Sequence, residues 1–283
     1  MDSEKHSEQI VRLQEENDYL MKQLEKTNEK LKESDAFKSH FISNITNEII
    51  NPFASILGIS KNISLLDERK IGQIHSMSNL IYNEAFDLDF QLQNIFSAAK
   101  IESGEMNMEL SSIQPAEIVE EIIESLRFKS ENKNQYIELE LDDNLAYNLV
   151  TDKDKFQIII KNLLSNAIIF GYEKTKISVV LKQVEEKLMI QISNKGDQLD
   201  EEELNIIFDR FTKLDKTINS INQGHGLGLS VTKAYLEFLE GEIEVYSNEK
   251  EGNVFRVSMS AIANNEDTLI REDDLFIDDS ELF

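Results

Sequence analysis

Cysteine is absent from the 283 residues. Disulfides, thiolate catalysis and cysteine-based zinc sites are therefore excluded, and a reducing compartment is compatible with the chain. Histidine is scarce and scattered (His6, His40, His75, His225), so no histidine-rich metal site is expected. Basic residues are few: 29 Lys plus Arg stand against 54 Asp plus Glu, a formal charge of −25. That balance argues against binding nucleic acid, whose affinity rests on basic surface. It argues equally against docking on anionic lipid. No run of about 18 apolar residues is present, so no membrane insertion is expected. The N-terminus is charged and lacks the apolar core of a signal peptide, and the chain reads as cytoplasmic. Only 2 prolines and 10 glycines interrupt the backbone, which predicts long unbroken helices. What is there is enough for a core: 40% of residues are hydrophobic. The length predicts about two domains at roughly 150 residues each.

Residues 8–36 are rich in Glu, Lys, Gln and Leu. With Ile10 at heptad position a, Asn17, Leu24 and Leu31 follow at a, and Leu13, Leu20, Thr27 and Ser34 fall at d. This is a coiled-coil seam that weakens towards Thr27 and Ser34, and Asn17 would favour a parallel dimer in one register. A single solvated helix is the alternative. From Phe37 the helical spacing continues through Phe41, Ile45, Ile49, Phe53 and Ile56, with Pro52 expected to kink rather than end the helix. A turn follows near Leu65–Glu68. A second helix then runs over Glu68–Glu102, closed by Ser103-Gly104. Two such helices expose broad apolar faces, which a second copy would cover in a four-helix bundle.

The texture then changes to mixed helix and strand. A short strand is predicted over Met106–Leu110, a helix over Ala116–Lys129 opened by Pro115, and a strand over Tyr136–Leu141. Asp152–Ile169 reads as an amphipathic helix, and Lys176–Gln183 with Lys187–Ser193 as a hairpin. Helices over Glu201–Phe211 and Gly226–Leu239 and strands over Ile243–Ser247 and Val254–Ser260 complete an α/β layer with helices on one side of the sheet. The stretch Ala261–Phe283 interleaves eight acids with Leu275, Phe276, Ile277, Leu282 and Phe283. It reads as a flexible acidic docking peptide, with a solvated tail or the stub of a longer chain as alternatives.

Three stretches carry chemistry. Gly224-His225-Gly226-Leu227-Gly228-Leu229 lets backbone amides approach a phosphate, and the helix that follows presents its N-terminus to an anion. Asn162 and Asn166, in Asn162-Leu163-Leu164-Ser165-Asn166-Ala167, share a helix face and could serve magnesium and a phosphate chain. Asn194 and Gly196, in Ser193-Asn194-Lys195-Gly196-Asp197, could respectively accept a hydrogen bond from an adenine amino group and let the base lie on backbone. Each alone is an ordinary local feature: a tight loop, a polar stripe, a turn.

In this order and spacing the three resemble the nucleotide-binding boxes of the histidine-kinase ATPase domain. Ile207-Phe208-Asp209-Arg210-Phe211 resembles the family's phenylalanine box, and Thr212–Gln223 its ATP lid. Phe41–Gly58 resembles the phospho-acceptor helix of the dimerisation and phosphotransfer domain, and Lys100–Gly104 the end of its second helix. The resemblance spans residues 37–260. It implies a fold of α plus α/β type: a coiled-coil stem (1–36), a helical hairpin forming a dimeric four-helix bundle (37–104), an ATPase-type α/β sandwich (105–260) and an acidic tail (261–283).

The departures from the family pattern shape the expected function. Asn47 stands before Glu48 where the family places its phospho-accepting His, and an amide nitrogen is no nucleophile at neutral pH. His40, about two turns or roughly 10 Å away along the helix axis, lacks the surrounding motif. Asn194 replaces the family's adenine-reading Asp, Gln198 a glycine, and Ile169 a phosphate-reaching Lys. ATP with Mg is expected to bind weakly through Asn162, Asn166, Asn194, Gly196, Gly224, Gly226, Leu227 and Gly228, with Asn166 on the metal. The resemblance thus implies a homodimeric pseudokinase that regulates a response regulator or a partner histidine kinase. Three alternatives stand beside it. Glu48 and Asn51, in E-x-x-N spacing, would suit a phosphatase that places water on a phosphorylated regulator. A scaffold binding no nucleotide is another. A working kinase with its acceptor replaced is the third, although the changes at Asn194, Gln198 and Ile169 favour natural degeneration.

Overall fold

The computed structural model describes residues 17, 19–28, 46, 49–143, 145, 148–185, 187–210, 226–260 and 262–263. It divides into two compact units, Met1–Leu88 and Asp89–Phe283. The boundary expected at 104/105 falls inside the second. Most of the heptad seam, Asn47, Glu48, Gly224, the lid stretch 212–223 and all of the expected tail 261–283 except Ile262–Ala263 lie outside the described residues.

In the first unit, residues 19–28 and 49–64 are helical. The second of these, α1, passes through Pro52 unbroken. Leu65 and Leu66 donate back to Asn62 and Ile63 at 3.1 and 3.0 Å, closing the turn where the sequence places it. Asp67 caps a short 3-10 turn, Glu68–Lys70, by accepting from Arg69 N at 2.9 Å. The long helix α2, Ile71–Ser103, follows. It ends at Gly104, whose φ of +72° and the bond from Glu105 N to Lys100 O make the expected glycine C-cap.

The second unit holds two sheets. Five strands, β2 (Tyr136–Leu141), β4 (Lys176–Val184), β5 (Lys187–Asn194), β6 (Glu242–Asn248) and β7 (Gly252–Ser260), lie in the order β2-β4-β5-β7-β6. Only the β2/β4 pair is parallel. Alternation explains the sheet: Ile177, Val179 and Leu181 of β4 and Leu188, Ile190 and Ile192 of β5 are all buried, with half-buried or exposed residues between them. Their common face meets α3 (Pro115–Asn132), α4 (Lys153–Phe170) and α6 (Gly228–Phe238). Phe156, Ile159, Ile160, Leu163 and Leu164 recur at helical spacing and bury the inner side of α4.

A second, three-stranded antiparallel sheet was not foreseen as such. It runs β1 (Leu110–Ile113), β3 (Leu149–Asp152), β8 (Ile262–Ala263). The strand expected at Met106–Leu110 is shifted because Leu110–Ile113 is the segment that β3 pairs, Leu110 opposite Asp152 and Ile113 opposite Leu149. The helix expected over Glu201–Phe211 is shorter: α5 spans Glu201–Ile206. A reciprocal capping box fixes its start, Glu203 N to Asp200 Oδ1 at 2.8 Å and Asp200 N to Glu203 Oε2 at 2.9 Å. Its end is a tight turn in which Asp209 N donates to Ile206 O at 2.9 Å.

Candidate functional site

Helix α4 is the spine of the site. Asp152 begins it by accepting from Lys155 N at 3.1 Å. Burial opposes ionisation of Asp152, but Lys155 and the backbone N–H groups of Glu109 and Lys155 outweigh it and hold the carboxyl below its ordinary value. At the other end the Lys133 ammonium donates to the carbonyls of Ile168, Ile169 and Gly171 at 3.0, 2.5 and 3.1 Å. A cation on the last turn offsets the negative end of the helix dipole. Burial pushes the Lys133 pKa down. Gln135 Nε2 donates to Ile168 O, Gly171 O and Tyr172 O beside it.

Midway along α4, Asn162 is 3% exposed and committed on two sides. Its Nδ2 donates to Asn94 Oδ1 at 2.8 Å and to Gly228 O at 3.0 Å. Gly228 opens α6, and a Cβ there would stand 3.0 Å from Asn162 Oδ1, so the helix start approaches the amide only because no side chain intervenes. Leu227 before it is fully buried, and Gly226 turns with φ +68°. Asn166 lies one turn further along α4 and is half-buried. The structure thus brings Asn162 and Gly228 together.

The other half of the site lies at the end of β5. Asn194 is the last residue of that strand, paired with Ile177 on one side and Asn253 on the other. It is 3% exposed, and its Nδ2 is buried without a hydrogen-bond partner among the described residues. Gly196 leans against it: a Cβ there would stand 3.0 Å from that nitrogen. Gly196 also bridges to Gly171, and Tyr172 N donates to Lys195 O at 2.7 Å, so the loop after β5 rests on the end of α4. From Asn162 to Phe170 is eight residues, about 12 Å of helix axis. That separation suits the span from phosphates to base of a nucleoside triphosphate.

Three side chains that sequence reasoning missed fix the loop beyond Asn194. Tyr172 OH donates to Asp197 Oδ1 at 2.6 Å, and that bond raises the Tyr172 pKa. Asn253 Nδ2 donates to Asp197 O at 2.9 Å. Ser247 Oγ accepts from Leu199 N at 3.1 Å while donating to Asn253 Oδ1 at 2.6 Å. Asn94, the partner of Asn162, was missed too. It sits beside Gln93 in Leu92-Gln93-Asn94-Ile95, and nothing in that local pattern marks it out. Of the residues 207–210, Ile207 is buried, Lys233 Nζ stands 5.7 Å from the Phe208 ring centroid, and Arg210 pairs with Glu102.

Do these residues fit a nucleotide and its metal? The unpartnered Asn194 amide and the side-chain-free approaches at Gly196 and Gly228 are the features a purine and a phosphate chain would need. The N-terminus of α6 adds backbone N–H groups for anionic oxygen. Among the described residues no group of three or more His, Asp or Glu could hold a metal ion by itself. Magnesium would therefore bind with the phosphates, taking the carbonyl oxygen of Asn166, as hard cations do. Asn51 is exposed on α1 in the first unit. No helix among the described residues is long and apolar enough to cross a membrane.

Residues 151–261 match the family described as histidine kinase-, DNA gyrase B-, and HSP90-like ATPase. The chain is 26% identical over 225 residues to Histidine kinase P4 of Formosa agariphila, covering 78% of this chain and 16% of that protein. It is 29% identical over 229 residues to the autoinducer 2 sensor kinase/phosphatase LuxQ of Vibrio vulnificus, covering 78% and 26%. It therefore spans about a sixth to a quarter of the length of these curated relatives. In fold it is similar to the histidine kinase ThkA, solved in complex with the response regulator protein TrrA, with a TM-score of 0.52 and 21% identity over 82% of this chain and 64% of that one. A helical N-terminal part leading to a mixed-sheet α/β sandwich is common to both. Residues 151–261 form a histidine kinase-, DNA gyrase B- and HSP90-like ATPase domain, and the chain as a whole is similar to the core of histidine kinases.

Proposed function

We propose that this core is a pseudokinase: it binds Mg-ATP weakly and regulates a response regulator or a partner histidine kinase without accepting phosphate at the usual helix position. One contrast carries the reading. The residues read as a nucleotide cradle, Asn162, Gly228, Asn194 and Gly196, are present, whereas residue 47, at the position that resembles the family's acceptor, is Asn. An amide cannot attack the γ-phosphorus as an imidazole does. Homodimerisation fits the first unit: Ile50, Phe53 and Leu57 recur at i, i+3 and i+7 on α1, and each is more than half exposed in the single chain. The pairing of ThkA with a response regulator supports the partner class.

Two measurements test the proposal together. Mg-ATP at about 100 times its Kd should stabilise the fold by about 2.7 kcal/mol, a rise in melting temperature of about 5 °C or more. No shift at millimolar nucleotide leaves the scaffold reading. Incubation with γ-labelled ATP should leave the chain unlabelled, and acid-labile label on residues 37–104 would refute the pseudokinase.

A phosphatase is the second reading. The E-x-x-N spacing of Glu48 and Asn51, the exposure of Asn51 and the likeness to a protein named as a kinase/phosphatase favour it. It requires that Asn51→Ala slow dephosphorylation of a phosphorylated receiver domain by about 100-fold or more, the scale of a lost water-positioning group, while the dimer persists. Equal rates for parent and variant dismiss it.

A further inference from the structure

We infer that Asn94 of α2 competes with the nucleotide for the Asn162 amide, so that docking of the end of α2 on α4 and nucleotide binding oppose each other. This rests on the nucleotide-binding reading above and names the regulation of that same site. The deciding observation is a bond that is made: Asn162 Nδ2 donates to Asn94 Oδ1 at 2.8 Å.

An amide nitrogen carries two N–H groups. In Asn162 one goes to Asn94 Oδ1 and the other to Gly228 O at 3.0 Å. The amide oxygen faces the start of α6, where a Cβ on Gly228 would stand 3.0 Å away. Asn162 therefore has no donor left for a phosphate oxygen. Gly228 O belongs to the first turn of α6, which packs on α4. Asn94 is the partner that can leave. It cannot make room by turning over, because its own Nδ2 donates to Phe90 O at 3.1 Å. A turn would set nitrogen against nitrogen and oxygen against oxygen. Asn94 and Asn162 are 1% and 3% exposed, so a nucleotide reaches the Asn162 amide only when this part of α2 withdraws.

The part of α2 from Asp89 onward belongs to the second unit. Phe90, Ile95 and Ala98 are buried there, so the withdrawn state is the minor one without ligand. The polar ties beside Asn94 are weak in kind. Lys161 Nζ stands 4.5 Å from the Phe90 ring centroid, Ser97 lies within hydrogen-bonding reach of Tyr235, and Glu102 pairs with Arg210 at exposed side chains. The withdrawn fraction then sets the apparent nucleotide affinity. By reciprocity, a pull on α2 that breaks the Asn94 bond strengthens nucleotide binding by the factor by which nucleotide favours withdrawal.

The absence of cysteine provides the test. Ser97→Cys places a single thiol on the buried side of α2, where Ser97 is 4% exposed. Its rate of reaction with an aromatic disulfide reagent reports how often α2 withdraws. Saturating Mg-ATP should raise that rate about tenfold or more. Asn94→Ala should lower the Kd for Mg-ATP about fivefold by calorimetry, the worth of one neutral hydrogen bond. An Asn94 that only supported the fold would leave the Kd unchanged or raise it. Binding seen in the variant alone supports the inference. Binding heat in the parent with an unchanged labelling rate, or with a Kd not lowered in Asn94→Ala, overturns the inference and leaves nucleotide binding standing. Absence of heat in parent and variant overturns it together with the nucleotide reading. Either arm decides if the variant of the other does not fold.

Discussion

Gly252→Ala is expected to lower the stability of the ATPase-type domain by about 2–4 kcal/mol and to weaken nucleotide binding with it. Gly252 opens β7 in left-handed backbone, with φ +84°. An alanine there carries the usual penalty for that conformation, about 1–2 kcal/mol. The larger part is steric. The new Cβ would fall well inside the van der Waals envelope of the Asn194 carbonyl oxygen, 3.1 Å from the Asn194 carbonyl carbon and 3.3 Å from Lys195 Cα. These atoms are backbone in a paired strand, with Asn194 opposite Asn253, so they cannot swing aside as a side chain would. Relief requires moving the segment that carries the Asn194 amide. Urea denaturation measures the first effect and nucleotide titration the second. Lys250→Ala, in the same turn, should stay within about 0.5 kcal/mol of the parent as an exposed surface change. Parent-like stability of Gly252→Ala would show that the turn does not press on Asn194.

The contrast between Gly252 and its neighbours shows which parts of the fold sequence alone reveals. Strands β2, β4, β5 and β7 are evident because each alternates over six or more residues, and α3 and α4 because proline or aspartate marks the start and apolar residues recur on one side. Strands β3 and β8 are not, being four and two residues long, with pairing that comes wholly from distant segments. Asp152 was read as the start of a helix, and it is, but it also ends β3. The candidate site residues Asn162, Asn194, Gly196 and Gly228 are legible as residues in the sequence. The residues that orient them are not. Asn94 lies 68 positions from Asn162 and Asn253 lies 56 from Asp197, and no local spacing rule links residues so far apart. Local patterns reveal elements; the partners of a buried amide are fixed only when those elements pack.

Asp152→Ala should be the most damaging single substitution among the charged residues described, at about 3–5 kcal/mol. The carboxylate is 2% exposed and serves three donors: Lys155 N at 3.1 Å, Glu109 N at 3.0 Å and Lys155 Nζ at 2.5 Å. Its loss removes the N-cap of α4, worth about 1 kcal/mol. It also releases the segment leading into β1 and strips a largely buried ammonium of its counter-charge. Lys155 would keep only Asn107 O, at 2.6 Å, and the faces of Tyr235 and Phe238, at 5.7 and 5.4 Å. The uncompensated charge is the dominant cost, so Asp152→Ala/Lys155→Met should recover more than 1 kcal/mol relative to the single change, a coupling energy of the size that contacting pairs show. Acid gives an independent check. The folded-state pKa of Asp152 is lowered, so its contribution is present above the unfolded carboxylate value, about 3.9, and is lost as pH falls through the lower folded one. The urea midpoints of parent and Asp152→Ala should therefore lie far apart at pH 6 and draw together below about pH 4. A separation that stayed constant across that range would assign the loss to the cap geometry alone and not to the charge.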